Sequence, residues 1–215
     1  GRVEELEKIL FKSPSNGNIG IGHVRWATHG IPNVVNAHPH SSDQVSVVHN
    51  GIIENSDEIK KELESKGIKF KSQTDTEVVT LLITESLKVS KPLDSVFKTL
   101  KKLKGSFALG IIFKNFSNII IGAKRGSPLA VGYSKNENYI GSDSYALKSM
   151  TNKISYLDDG ELCVLTKDEV SFYDTSLKKV NKKILTMSEN EVSTDKGEYK
   201  HFMLKEIFEQ PNTVK

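Results

Sequence analysis

The chain has 215 residues, 37% hydrophobic and 27% charged, with a formal net charge of +3. That is the composition of an ordinary water-exposed globular protein, long enough for one large domain or two small ones with a real core. No run approaches the ~18 apolar residues of a spanning helix, which excludes a helical membrane protein, and the interleaved lysines and acids, without an aromatic-basic stripe, argue against a nucleic-acid partner.

The opening "GRVEELEKIL" is charged and lacks the apolar core of a signal peptide. A single cysteine forms no internal disulfide, which fits a cytoplasmic protein. Lysine outnumbers arginine 27 to three. Lysine therefore serves general solubility, while Arg25 and Arg125, in glycine-flanked stretches, suit bidentate recognition.

In chain order, Val3, Leu6, Ile9 and Leu10 have helical spacing and predict a helix over Val3 to Phe11. "SPSNGNIG" reads as a turn. "GIGHVRWAT" reads as a strand running into the loop "HGIPNVVNAHPH", and Val45 to Val48 as a short strand broken by Asn50-Gly51. Asn55 or Ser56 caps a helix from about Asp57 to Ser65, with Gly67 beyond its end. In "TDTEVVTLLITESLKVS", Thr74 and Glu77 stand in capping-box relation ahead of Val78, Leu81, Leu82 and Leu87, the clearest helix of the chain. Another helix covers Asp94 to Lys104. After Gly105 the pattern changes to short β-branched and aromatic runs between turns, from "SFALGIIF" to "VSFYD", with a brief helix near Tyr145 to Ser149. Early strands, adjacent helices and then a run of antiparallel strands predict an α+β layered protein. The tail "HFMLKEIFEQP" is amphipathic, and its Met203, Ile207 and Phe208 want a partner surface.

The polar loops hold the chemistry. Arg25 has the donor geometry for a carboxylate, or for an ion pair with a core acid. Thr28, His29 and Gly30 form either a strand-end turn or a loop that closes over a ligand. Asn50-Gly51 is the signature of a type I′ hairpin turn, or a side-chain amide and a backbone N–H converging on an oxyanion. Asp75, in the first turn of the best helix, either complements the helix dipole or receives an ammonium group. His38 and His40, with His29 and His49 not far off, lack acid and cysteine partners at metal-ligand spacing, so no metal is assigned. Cys163 alternates within a strand pattern and reads as a small buried hydrophobe.

Together, "GHVRWATHG", "NAHPH", "VVHNGIIEN", "TDTE", "RGSPLAVG", "SDSYAL" and "KHFMLKEIFEQP" resemble the glutaminase (class II glutamine amidotransferase) domains of the glutamine–fructose-6-phosphate aminotransferase family, the glucosamine-6-phosphate synthases. The resemblance runs in order over nearly the whole chain. It implies an N-terminal-nucleophile hydrolase fold, a four-layer αββα sandwich with mainly antiparallel sheets. It implies a glutaminase domain over residues 1–194, incomplete at its N-terminus, and a linker over 195–215 toward an absent sugar isomerase (synthase) domain. The roles implied are Arg25 for the glutamine α-carboxylate, Asp75 for the α-ammonium, and Asn50 with Gly51 for the oxyanion. Trp26, Thr28 and His29 fall in the loop that closes over glutamine. No metal or organic cofactor is implied; the partners are glutamine, fructose 6-phosphate through the synthase domain, and a second copy in a homodimeric full-length enzyme. The family's nucleophile is a cysteine at residue 1 of the mature chain. Residue 1 here is glycine and Cys163 matches no catalytic position, so the chain as given is expected to be inactive alone. The alternatives are a non-catalytic module that binds glutamine or a partner, and an amidophosphoribosyltransferase-like enzyme. The Trp26-Ala27 pair and "KEIFEQP" argue against the second.

Overall fold

A computed structural model describes residues 3–25, 30–187 and 199–213. Its first helix, α1 (Val3–Lys12), follows the predicted periodicity, yet none of its residues is buried. The strands β1 (His40–Ser41) and β2 (Val45–Ile53) come next, then three helices, α2 (Ser56–Ser65), α3 (Asp75–Leu87) and α4 (Pro92–Lys102). The β-rich half comprises β3 (Gly105–Phe113), β4 (Phe116–Arg125), β5 (Ala130–Tyr133) and β6 (Asn138–Gly141), the one-turn helix α5 (Ser144–Leu147), and then β7 (Lys153–Tyr156), β8 (Leu162–Leu165) and β9 (Val170–Tyr173). Two-residue strands β10 (Lys179–Val180) and β11 (Leu185–Thr186) and the helix α6 (Phe202–Thr213) complete it.

The strands form two antiparallel sheets, β1-β2-β3-β4-β8-β9-β10 and β11-β7-β5-β6. Alternation along the central strand β3 sorts the core. Phe107, Leu109, Ile111 and Phe113 pack under the helices with Val79, Ile83, Val96 and Leu100. Ala108 faces the other way, into a second cluster with Leu129, Val131, Cys163 and Phe172 between the sheets. The sheets meet closely because Gly110 and Gly122 are register partners. A Cβ on Gly110 would press on Ile140 of the smaller sheet at 3.0 Å, and one on Gly122 would come within 3.2 Å of Leu129 and 3.6 Å of Ile140.

On the far face of the smaller sheet, Leu147 of α5 fills the space above Gly132 and Gly141. The layers are thus three helices, a seven-stranded sheet, a four-stranded sheet and one short helix. This is the predicted αββα order, with a thin fourth layer.

Three local expectations are corrected. Asn50-Gly51 makes no turn: β2 runs straight through it, pairing Asn50 with Ala108 and Gly51 with Phe107 of β3. Glycine is required there because the backbone comes so near β3 that a Cβ on Gly51, at φ +123°, would lie 2.1 Å from the Ser106 carbonyl oxygen. Gly20 to Arg25 form no strand; they line a cavity instead. Thr74 is the N-cap of α3 but makes no side-chain cap bond. Glu77 reaches past it, accepting from the backbone N–H of Lys71 at 2.8 Å and Ser72 at 2.6 Å.

Candidate active site

A cavity of about 630 Å³ opens where the end of the irregular segment 20–25, the middle of β2, the start of α3 and the edge strand β6 converge. That volume falls in the usual range of small-molecule sites. Its wall includes Arg25, Asn50, Gly51 and Asp75, four of the seven residues singled out in the sequence. The other three, Trp26, Thr28 and His29, lie outside the described residues.

Gly51 is held by its close approach to Ser106, and each of the other three by a specific local cause. Arg25 has φ +42°, a left-handed conformation that L-residues other than glycine rarely adopt. Its backbone N–H donates to His23 Nδ1 at 2.8 Å, and its guanidinium to the Gly30 carbonyl at 3.2 Å. Asn50 projects from β2 on the face away from the helices, with its amide oxygen 2.6 Å from His23 Nε2. Asp75 is buried in the first turn of α3. Its Oδ2 accepts the Ile53 backbone N–H at 2.8 Å, tying the helix start to the end of β2.

Beneath these groups lies a histidine layer whose geometry the sequence did not foretell. His38 Nε2 and His49 Nδ1 approach the same hydroxyl, Thr76 Oγ1, at 3.1 and 3.0 Å. One hydroxyl has one proton and two lone pairs, so at most one of the two imidazoles accepts from it and at least one donates to it. His49 Nδ1 is also 3.9 Å from Asp75 Oδ2. A second chain has a determinate direction. Ser72 Oγ donates to the Glu77 carboxylate at 2.7 Å, so it accepts from Thr74 Oγ1 at 3.0 Å, which accepts from His40 Nε2 at 2.9 Å.

Burial, reinforced at low pH by repulsion from His23 and His40 once those rings are protonated, pushes the His38 pKa down to about 3. His40 is also lowered, chiefly by burial. Both are neutral at ordinary pH and serve as oriented dipoles. Among the described residues no group of three or more His, Cys, Asp or Glu side chains is arranged to hold a metal ion.

The remaining sequence candidates fall elsewhere. Arg125 does not line the cavity; its Nη1 donates to the Leu103 carbonyl at 2.8 Å and its guanidinium lies 5.1 Å from the Phe107 ring centre. It braces the end of α4 against the sheet. Cys163 is fully buried, and burial pushes its thiol up to about 12; it acts as the small hydrophobe expected. The sequence missed the apolar wall contributed by Leu129 and Ile140, which reaches the cavity only through sheet stacking.

A cavity combining an arginine, an acid and an Asn-Gly amide pair between two stacked antiparallel sheets defines a class. A glutamine amidotransferase domain family matches residues 30–149, and the chain belongs to that family. It is 49% identical over all 215 residues to the glutamine–fructose-6-phosphate aminotransferases (isomerizing) of Zymomonas mobilis and Mesorhizobium japonicum. It spans about a third of the length of these relatives, 35% in each. Among solved structures it resembles the glutamine phosphoribosylpyrophosphate amidotransferase of B. subtilis complexed with ADP and GMP, with TM-score 0.60 and 26% identity over 73% of this chain and 35% of that one. A class-II glutamine aminotransferase domain protein from Silicibacter pomeroyi shares the fold, with TM-score 0.54 and 15% identity over 68% of this chain and 74% of that one. The architecture is that of an N-terminal-nucleophile hydrolase.

Proposed function

We propose that this chain is the glutamine-hydrolysing part of an enzyme that makes glucosamine 6-phosphate from fructose 6-phosphate and glutamine, the first step of amino-sugar synthesis. The observation that carries the reading is the convergence of Arg25, Asp75, Asn50 and Gly51 on one cavity. Arg25 binds the glutamine α-carboxylate with its fork. The Asp75 carboxylate, anchored through Oδ2, binds the α-ammonium. The side-chain amide carbon then sits near Asn50 and Gly51, whose N–H groups stabilise the tetrahedral oxyanion. Trp26, Thr28 and His29 belong to the loop that covers the bound glutamine.

The nucleophile is a cysteine thiol at the start of the mature enzyme, with its own α-amine as base. The sulfur adds to the amide carbon, the carbon–nitrogen bond breaks, and ammonia leaves with the proton taken from the thiol. Water then opens the thioester to give glutamate and regenerate the thiol. No metal or organic cofactor takes part. Residues 1–194 form the glutaminase domain and 195–215 the linker toward a synthase domain that takes fructose 6-phosphate, in a homodimeric, cytoplasmic enzyme. Among the described residues no helix is long and apolar enough to cross a membrane.

Because Cys163 is sealed in the core, a second reading applies to the 215 residues by themselves: a module that binds glutamine without turning it over. Ammonia release separates the two. The 215-residue polypeptide is expected to release none above background. An enzyme supplying a cysteine-first segment and the synthase domain is expected to convert glutamine and fructose 6-phosphate to glucosamine 6-phosphate. Turnover by the polypeptide alone, or amination of phosphoribosylpyrophosphate in preference to the sugar phosphate, would overturn this reading.

A further inference from the structure

We propose that His23 is a positioning residue that fixes which end of the Asn50 amide faces the reacting carbon. The inference rests on the reading of Asn50 as an oxyanion donor and adds to it the means by which the donor is aimed.

An asparagine amide has a donor end and an acceptor end of nearly the same shape, and its terminal torsion is broad. Asn50 is exposed to the cavity, so nothing in its packing selects one end. If the carbonyl oxygen faced a developing oxyanion, the two would repel. The geometry around His23 removes that freedom. The Arg25 backbone N–H donates to Nδ1 at 2.8 Å, so Nδ1 presents a lone pair and the proton of the neutral ring resides on Nε2. Nε2–H in turn donates to Asn50 Oδ1 at 2.6 Å. With its oxygen engaged, the Asn50 NH₂ group is turned away from His23.

Arg25 therefore acts twice. Its side chain is the carboxylate fork of the site. Its backbone, bent to φ +42°, sets the tautomer of the histidine two residues earlier. The His23 ring is further held by the His38 ring, with centroids 4.4 Å apart and planes tilted by 34°. His38, kept neutral by burial, adds no opposing charge. The unusual Arg25 backbone thus has a chemical reason: a right-handed residue there would aim its N–H elsewhere and leave His23 free to present either nitrogen.

Two substitutions divide the two hydrogen bonds. In His23→Asn the amide oxygen takes the place of Nδ1 but nothing reaches Asn50. In His23→Gln the amide nitrogen takes the place of Nε2 and restores the donor to Asn50. In the amidotransferase carrying its nucleophilic cysteine, Asn50→Ala is expected to lower kcat for glutamine hydrolysis by ~10²–10³. His23→Asn is expected to lower kcat by roughly tenfold, one hydrogen bond's worth, with KM for glutamine nearly unchanged. His23→Gln should recover most of that loss, and His23→Asn should add nothing in the Asn50→Ala background.

Wild-type kcat in His23→Asn alongside an impaired Asn50→Ala overturns the positioning role while leaving the oxyanion reading intact. An unimpaired Asn50→Ala overturns both. Equal losses in His23→Asn and His23→Gln mark His23 as a merely structural residue. Independently of turnover, long-range ¹H–¹⁵N spectra of the 215-residue chain should show His23 protonated at Nε2 and bare at Nδ1; the opposite tautomer contradicts the proposal.

Discussion

Two histidines beneath the cavity, the half-buried His38 and the buried His40, make stability depend on pH in a direction fixed by their environment. The pKa of His38 lies at about 3 in the folded chain, well below the 6.5 of an exposed histidine, and that of His40 is lowered too. The unfolded chain therefore binds more protons than the native one below pH 6.5, so stability is whole above that value and is lost as pH falls from 6.5 toward 3. The urea midpoint is expected to drop between pH 7 and 5, and His38→Gln, which has no proton to gain, should flatten part of that slope. An unchanged slope in the variant contradicts the neutral assignment. At this scale the sequence showed which residue types matter but not how they meet. Arg25 and Asp75 could be singled out as candidates because a planar fork suits a carboxylate and a helix-start acid an ammonium. The residues alone left an ion pair and a helix-dipole contact as alternatives, and their places on the cavity wall came from the fold. The aim of His23 was not legible, because it depends on one left-handed backbone angle at Arg25. The sharing of Thr76 by two histidines depends on the placement of α3 against β2.

The middle of β2 shows how tertiary contact overrides a local signature. Asn-Gly is a strong hairpin signal, yet β3 pairs with β2 across the whole of Val45–Ile53 and the signal is overruled. Glycine serves here for close approach. Gly51→Ala would force a methyl group to 2.1 Å from the Ser106 carbonyl oxygen. The expected cost is on the order of 3 kcal/mol or more, at the upper end of single-residue effects, read as a lower urea midpoint together with lost glutamine binding. A change below ~0.5 kcal/mol would mean that β2 and β3 are not joined as described. Helices were easier to foresee. The period of Val78, Leu82 and Ile83 in α3, and of Val96 and Leu100 in α4, follows from burying one face against β3. Gly20 to Arg25 carried β-branched Ile21 and Val24 without a neighbouring strand among the described residues to pair with, so local residue type alone gave the wrong element.

At the scale of the molecule, stacking creates the site. β2 supplies Asn50 and Gly51, α3 supplies Asp75, and the smaller sheet closes the far wall with Ile140 and Gly141. The α+β class was legible from the switch to short strands after Gly105, whereas the αββα layer order came from the family resemblance. The cavity itself was not legible, because its depth depends on Gly110 and Gly122 letting Ile140 approach. The proposed function requires that cavity to grip both ends of one amino acid. Titration calorimetry of L-glutamine into the chain, beside Arg25→Ala and Asp75→Asn, tests this most directly. Asp75→Asn keeps an oxygen for the Ile53 N–H, so a loss reports the missing charge. Saturable binding by the unaltered chain, weakened roughly 10–100-fold by either substitution as expected for one charge-assisted contact, is the predicted result; no binding, or binding indifferent to both substitutions, contradicts it.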